Sequence, residues 1–125
     1  MGKKILVVDD EQRIVDLLYK FLSNEGFTVS TATDGGCCLK LAKELIPDLI
    51  VLDINMPGMD GCDVVNELLK DEKTKSIPVI FLTGAVTDEE LIEGGSMIAN
   101  HLFMSKGSDL NEQIRTIKQI LGVSN

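Results

Sequence analysis

The chain has 125 residues, a length that suits one domain with its own hydrophobic core. Its formal net charge is −8, from 12 basic and 20 acidic residues. This balance argues against direct nucleic-acid binding, because neutralising phosphates requires a basic surface.

The cysteines and the terminal segment exclude further classes of protein. Three cysteines and a single histidine provide neither a disulfide framework nor the ligand spacing of a zinc site. We expect Cys38 in the core, Cys37 on the surface and Cys62 under partial cover. No apolar run reaches the roughly 18 residues of a membrane span, and the first residues do not resemble a signal peptide. The composition therefore predicts a cytoplasmic protein without membrane contact.

Strand and helix patterns alternate along the whole chain. Apolar residues run without a break where a strand is buried on both faces, and recur every three or four positions where a helix has one buried face. The predicted strands lie at about 4–8, 27–31, 48–54, 77–84 and 101–105, and the predicted helices at about 12–24, 35–45, 61–70, 87–93 and 109–121. Five such alternations predict one α/β domain, residues 1–125, with helices on both faces of a parallel sheet.

Local signals indicate where several helices begin and end and which way they face. Gly26 is expected to end the first helix as a left-handed cap, and Pro47 to break the second. Asp34 is a candidate N-cap, and Asp109 with Glu112 predicts a capping box on the last helix. The apolar stripe expected to face inward on the first helix consists of Ile14, Leu17, Leu18, Phe21 and Leu22.

Polar side chains gather at the carboxyl ends of the predicted strands, the edge where doubly wound sheets bind ligands. They are Asp9 and Asp10 after the first strand, Asp53 and Asn55 at the third, Thr83 at the fourth and Lys106 after the fifth. Three carboxylates together suit a hard divalent cation such as Mg²⁺, and a metal at such a cluster usually serves phosphate. One carboxylate could then attack phosphorus and become an acyl phosphate, while the hydroxyl and the lysine bind the phosphoryl group.

Four segments taken together resemble the receiver domains of two-component response regulators, in particular the single-domain chemotaxis regulators. In chain order they are "VVDDE", "DLIVLDINMPGMDG", "VIFLTG" and "FMSKG". The likeness runs from residue 3 to about residue 122. It implies a flavodoxin-like (βα)5 fold, a doubly wound parallel five-stranded sheet with strand order 2-1-3-4-5.

The resemblance also implies a metal site and a phosphoacceptor. Asp53 matches the residue that accepts the phosphoryl group. Asp10 matches the direct Mg²⁺ ligand, and Asp9 a ligand that acts through water. Asp53 itself and the main-chain carbonyl of Asn55 would complete the protein ligands.

A second set of matched residues implies a switch. Thr83 resembles the switch hydroxyl, Lys106 the phosphate-binding lysine and Phe103 the aromatic rotamer switch. Phosphorylation would draw in Thr83 and let Phe103 rotate inward. The consequence would be an altered binding face on the fourth predicted helix, the fifth strand and the fifth helix.

The function implied is a phosphoryl-accepting signalling switch. A sensor histidine kinase or a histidine phosphotransfer protein would supply the phosphoryl group, and a downstream protein target would read the altered face. No enzyme activity is expected beyond self-phosphorylation and self-dephosphorylation. The expected oligomeric state is a monomer or a weak phosphorylation-dependent dimer.

The sequence departs from the family pattern at three points, and two alternative functions stay open beside the switch. Gly107 stands where most receivers have proline, "EGGSMIAN" replaces the usual alanine-rich fourth helix, and Phe103 lacks the hydroxyl of a tyrosine. One alternative is a pseudo-receiver, a protein-interaction module that needs no phosphorylation. The other is an aspartyl phosphatase, which Asn55 disfavours, because such enzymes need a second acid two residues after the nucleophile.

Overall fold

The computed structural model describes residues 2–83, 97–98, 101–105 and 109–122. The strands are β1 (Lys4–Val8), β2 (Thr28–Ala32), β3 (Leu49–Asp53), β4 (Val79–Thr83), β5 (Met97–Ile98) and β6 (His101–Ser105), and the helices are α1 (Gln12–Asn24), α2 (Gly35–Leu45), α3 (Gly61–Leu69) and α4 (Leu110–Leu121). The helix expected at 87–93 lies outside the described residues. No helix in the described part of the chain has the length and apolar character needed to cross a bilayer.

The sheet confirms the predicted topology and adds one short strand. Its order is β2-β1-β3-β4-β6-β5, so the five predicted strands follow the order 2-1-3-4-5. The pairs β1–β2, β1–β3, β3–β4 and β4–β6 are all parallel. β5 was not predicted and pairs antiparallel with β6, Met97 opposite Leu102. Two residues are too few for a hydrophobic period to be recognised.

Alternation along the central strands divides the core into two layers. Successive side chains of a strand point to opposite faces of the sheet. One layer packs strand residues against α2 and α3; its strand members include Leu6, Val8, Ile50, Leu52 and Phe81. The other layer packs against α1 and α4; its strand members include Ile5, Val7, Val51, Ile80 and Leu82. Because both faces are covered, every residue of β3 is buried, which explains its unbroken apolar sequence.

The ends of α1 and α2 largely follow the predicted signals. Gly26 has φ +95°, its N–H donates to Ser23, and the next N–H, of Phe27, donates to Leu22. These two bonds form the Schellman arrangement expected of a left-handed cap. Asp34 caps α2 by accepting a 2.8 Å hydrogen bond from the Cys37 N–H. The cap at the far end of α2 is Ile46, immediately before Pro47, with φ 44° and ψ 66°.

Two expectations about helices were wrong in detail. Val15, Leu18 and Leu22 form the buried face of α1, whereas Leu17 is 43% exposed. At about 100° per residue, Leu17 lies roughly 200° around the helix from Val15 and so on the opposite side. On α4, Asp109 accepts from the Asn111 N–H at 3.3 Å, in place of the expected box with Glu112.

Candidate functional site

Three carboxylates meet where β1 and β3 end. The two strands are parallel neighbours with Val8 opposite Leu52, so the residues that follow emerge at the same edge. Each of Asp9, Asp10 and Asp53 offers one carboxylate oxygen, and these three atoms lie within 4.8 Å of one another. The convergence expected from the strand ends is therefore present for all three acids.

The turn from β1 into α1 fixes the first two acids in different environments. The Asp9 N–H donates to the carbonyl of Ala32 at 3.2 Å, which extends the β1–β2 ladder by one bond. The Asp9 side chain is 0% exposed and its Oδ1 accepts from the Glu11 N–H at 2.9 Å. Asp10 is exposed. The pair thus presents one buried carboxylate and one that solvent can reach.

Asp53 is the last residue of β3 and is almost fully buried. Its side chain is 1% exposed, and its Oδ1 accepts from the Asn55 N–H at 3.1 Å. This bond fixes the rotation of the carboxylate and turns the chain immediately after the strand.

Glycine at position 61 allows α3 to begin directly against Asp53. The Gly61 N–H donates to the carbonyl of Ile54 at 3.0 Å and closes the neck of the loop between them. A Cβ at position 61 would lie 2.9 Å from the Asp53 carbonyl oxygen and 2.9 Å from the Ile54 Cα. Because these neighbours are main-chain atoms that cannot move aside cheaply, only glycine fits here without displacing the acid.

A capping box on α3, which the sequence analysis missed, supports the same junction. The Asp63 N–H donates to Asp60 Oδ1 at 2.9 Å, and the Asp60 N–H donates to Asp63 Oδ2 at 3.2 Å. The available signal was an acid at each of two positions three residues apart, just before the apolar Val64. Aspartate replaces the glutamate usually sought at the second position, which made the box easy to overlook.

For two further residues of the expected site, Thr83 and Phe103, the structure gives the position of the main chain in the sheet. The third, Lys106, lies outside the described residues. Thr83 is the last residue of β4, beside β3 and at the same edge of the sheet, with Ser105 of β6 opposite it. Phe103 lies on β6 opposite Phe81. The neighbouring Gly107 lies outside them as well.

The three acids fit a divalent cation. Oxygen donors without sulfur or nitrogen suit Mg²⁺, and the exposed Asp10 leaves the cluster open to solvent and its waters. Two buried carboxylates beside a third repel one another, and a bound cation would offset that repulsion. Asp9, Asp10 and Asp53 are therefore a suitable ligand set for this ion.

Comparison with known proteins identifies a family. The family profile described as "Response regulator receiver domain" matches residues 5–118. The chain is 44% identical over 94 residues to the response regulator PleD of Caulobacter vibrioides, covering 75% of this chain and 21% of that protein. It is 39% identical over 121 residues to the alkaline phosphatase synthesis transcriptional regulatory protein PhoP of Bacillus subtilis, covering 97% and 49%. The chain thus spans at most about half the length of these curated relatives.

Solved structures of similar length share the fold. The chemotaxis response regulator CheY4 of Vibrio cholerae superposes with a TM-score of 0.84 at 28% identity, covering 96% of this chain and 99% of that one. The N-terminal domain of a response regulator receiver protein from Methanoculleus marisnigri gives a TM-score of 0.72 at 34% identity, covering 98% of both chains. Since the family profile covers nearly the whole chain and the strand order is the one that the resemblance implied, this chain belongs to the receiver domains of response regulators.

Proposed function

We propose that the chain is a phosphoryl-accepting switch of a two-component phosphorelay, in which Asp53 accepts a phosphoryl group from a phosphohistidine. The donor is a sensor histidine kinase or a histidine phosphotransfer protein, and a downstream protein target reads the result. The observation that carries this proposal is the buried Asp53 carboxylate within 4.8 Å of two further acids, at the ligand-binding edge of the sheet.

In the proposed reaction a carboxylate oxygen of Asp53 attacks phosphorus. The bond from phosphorus to the donor histidine nitrogen breaks, the electron pair leaves with that nitrogen, and Asp53 becomes an acyl phosphate. Asp10 directly, Asp9 through water, Asp53 and the main-chain carbonyl of Asn55 would hold Mg²⁺. The ion, when bound, neutralises charge on the phosphoryl oxygens. The hydrogen bond from the Asn55 N–H holds the nucleophilic carboxylate in one orientation.

The switch is assigned to Thr83, Lys106 and Phe103. Thr83 and Lys106 bind the new phosphoryl group, and Phe103 responds to the movement of Thr83. The position of Thr83 supports this, because β4 ends at the same edge as β3. The face altered by phosphorylation consists of the segment at 87–93, β6 and α4, and the output is binding of the target protein.

The proposed activity ends at the aspartyl phosphate and its own hydrolysis. Asn55 occupies the position where an aspartyl phosphatase requires a second acid, so turnover of small phosphoesters is not expected. The proposed location of the chain is the cytoplasm, where it would meet its phosphohistidine partner. The proposed oligomeric state is a monomer, or a weak dimer that forms on phosphorylation.

Intact-protein mass spectrometry tests the proposed function. The chain is incubated with a small-molecule phosphodonor, with and without Mg²⁺, beside Asp53→Asn. A single phosphoryl adduct that needs Mg²⁺, survives acid, is lost in base and is absent from Asp53→Asn is the expected result. Asp16→Asn, on the exposed side of α1, should form the adduct as the wild type does. A folded wild type that gains no adduct would instead support a pseudo-receiver.

A further inference from the structure

The loop of residues 54–60, between β3 and α3, is held at both ends by hydrogen bonds already described. Asn55 donates to Asp53 Oδ1 at 3.1 Å, and Gly61 donates to the Ile54 carbonyl at 3.0 Å. These bonds orient the N–H of Asn55 and close the neck of the loop. They do not by themselves fix the main-chain carbonyl of Asn55, because that carbonyl belongs to the next peptide group, between Asn55 and Met56.

Two methionines fix the middle of this loop. Met56 is 7% exposed and belongs to the core layer of α2 and α3, and Met59 packs against the same layer. Gly58 lies between them with φ +80°, a left-handed conformation that turns the chain back between the two methionines. Both thioether side chains therefore pack on the same side of the sheet, in or against the layer of α2 and α3.

Met59 occupies the space that a side chain at position 35 would need. A Cβ at Gly35, the first residue of α2, would lie 2.9 Å from both Cγ and Sδ of Met59 and 2.9 Å from Cγ2 of Val64. At the next glycine, Gly36, the nearest atom to an added Cβ is Asp34 Oδ1 at 3.4 Å. The two adjacent glycines therefore differ. The space that a side chain at position 35 would need is already occupied, in part by Met59 of the loop, whereas the space at position 36 is open.

We propose that Met59, seated on Gly35, is a positioning residue for Mg²⁺ binding. By bracing the loop against α2, it fixes the position of the segment that carries the main-chain carbonyl of Asn55, the group assigned as a metal ligand in the proposed function. This inference rests on the proposed function, in which that carbonyl is a metal ligand. Groups that orient a metal ligand typically change metal affinity by about 10- to 100-fold when they are removed.

Mg²⁺ affinity measured by isothermal titration calorimetry on the full chain tests the inference. Met59→Ala should weaken Mg²⁺ binding about tenfold, and Met59→Leu, which nearly preserves the volume, should stay within about twofold of the wild type. Gly35→Ala should weaken binding to a similar extent. The matched control Gly36→Ala, on the same turn of α2, should leave the affinity unchanged.

Coupling between the two positions distinguishes positioning from independent packing. In the double variant Gly35→Ala with Met59→Ala, the loss of affinity should be smaller than the product of the two single losses, because both changes act on the contact between positions 35 and 59. The close approach to Val64 is the same in Gly35→Ala with and without Met59→Ala, so it cancels in this comparison. In the metal-free protein, the amide resonance of Asn55 should shift in Met59→Ala and Gly35→Ala but not in Gly36→Ala.

Two outcomes would overturn the inference in different ways. If Met59→Ala and Gly35→Ala bind Mg²⁺ with unchanged affinity, even with a lower free energy of unfolding, the contact stabilises the fold but does not position a metal ligand. Met59→Ala is the decisive variant if Gly35→Ala does not fold. A folded wild type that binds no Mg²⁺ would overturn the proposed function as well, so the two failures can be told apart.

Discussion

The three cysteines show how the surroundings of a residue decide its chemistry. Burial raises the pKa of Cys38 to about 12, with the nearby Asp34 as a smaller cause. Cys37 is exposed, and its pKa is raised chiefly because its thiol is hydrogen-bonded to Asp34. Partial burial likewise raises the pKa of Cys62. All three thiols are therefore held in their protonated, less nucleophilic form at neutral pH.

The buried Cys38 thiol should make the fold sensitive to alkali. Its pKa is about 12 in the folded chain against 9.0 for an ordinary thiol, so the folded state retains the proton to higher pH than the unfolded state. Stability is therefore unaffected well below pH 9 and falls as the pH rises from there towards 12. Between pH 8 and pH 10 the wild type should lose about 1 kcal/mol that Cys38→Ala does not lose.

Urea unfolding of both proteins at pH 8, 9 and 10 measures this difference. Lysine and tyrosine titrations affect both proteins alike and cancel in the comparison. Cys37→Ala removes a thiol whose pKa is also raised, but by less, so it should differ from the wild type in the same direction as Cys38→Ala and to a smaller extent. If the wild type and Cys38→Ala lose stability in parallel, the buried thiol is not the source of the alkaline sensitivity.

At the scale of elements, the end of α2 is strained. Ile46 adopts a left-handed conformation, φ 44° and ψ 66°, although a β-branched side chain crowds the backbone there. The left-handed region costs a non-glycine residue roughly 1–2 kcal/mol. The side chain is 43% exposed and so recovers only part of this cost by packing.

Replacing Ile46 with glycine should therefore stabilise the chain by about 1 kcal/mol, since glycine adopts this conformation without a Cβ clash. Ile46→Val is the matched control, because valine keeps the β-branch and should give no gain. Chemical denaturation of the three proteins, compared at equal m-values, measures the effect. A loss of stability in Ile46→Gly would mean that the isoleucine contacts outweigh the backbone strain.

The elements also show where sequence patterns were sufficient. Helix α2 was placed at its observed bounds because Asp34 and the apolar spacing agree with each other. The inward face of α1 was misjudged because Leu17 and Leu18 are equally apolar, and only packing decides which of them turns inward. The strand β5 could not be foreseen, since its pairing with β6 depends on tertiary contact and not on a local pattern.

For the whole molecule, chain order was enough to predict the acid cluster. Asp9 follows β1 and Asp53 is the last residue of β3, and parallel strands bring their carboxyl ends together, so the convergence of the two acids follows from topology. The contact between Gly35 and Met59 had no such signal, because it joins two segments whose approach depends on how α2 and α3 pack. Sequence therefore indicated the site, and the structure was needed to find what braces it.

The acid cluster should couple metal binding to the stability of the whole fold. Because only the folded chain brings the three acids together, Mg²⁺ at about 100 times its Kd should raise the free energy of unfolding by about 2.7 kcal/mol. Asp10→Asn removes one of three like charges, so it should be more stable than the wild type without Mg²⁺ and gain much less when Mg²⁺ is added.

Thermal melts with and without Mg²⁺ test this coupling. Asp16→Asn makes the same change of charge on α1 and should gain as much from Mg²⁺ as the wild type does. An equal gain in Asp10→Asn would mean that the stabilising ion binds elsewhere or that Asp10 is not among its ligands.

The filled space at Gly35 restricts how such a chain can diverge. A side chain gained at position 35 would meet Met59 and Val64 at 2.9 Å, so we expect a lineage that enlarges residue 35 to reduce residue 59 or to repack its side chain. Position 36 carries no such constraint and can drift freely. Among related sequences the sizes of residues 35 and 59 should thus vary together, although 24 positions separate them, whereas the size of residue 36 should vary independently of both.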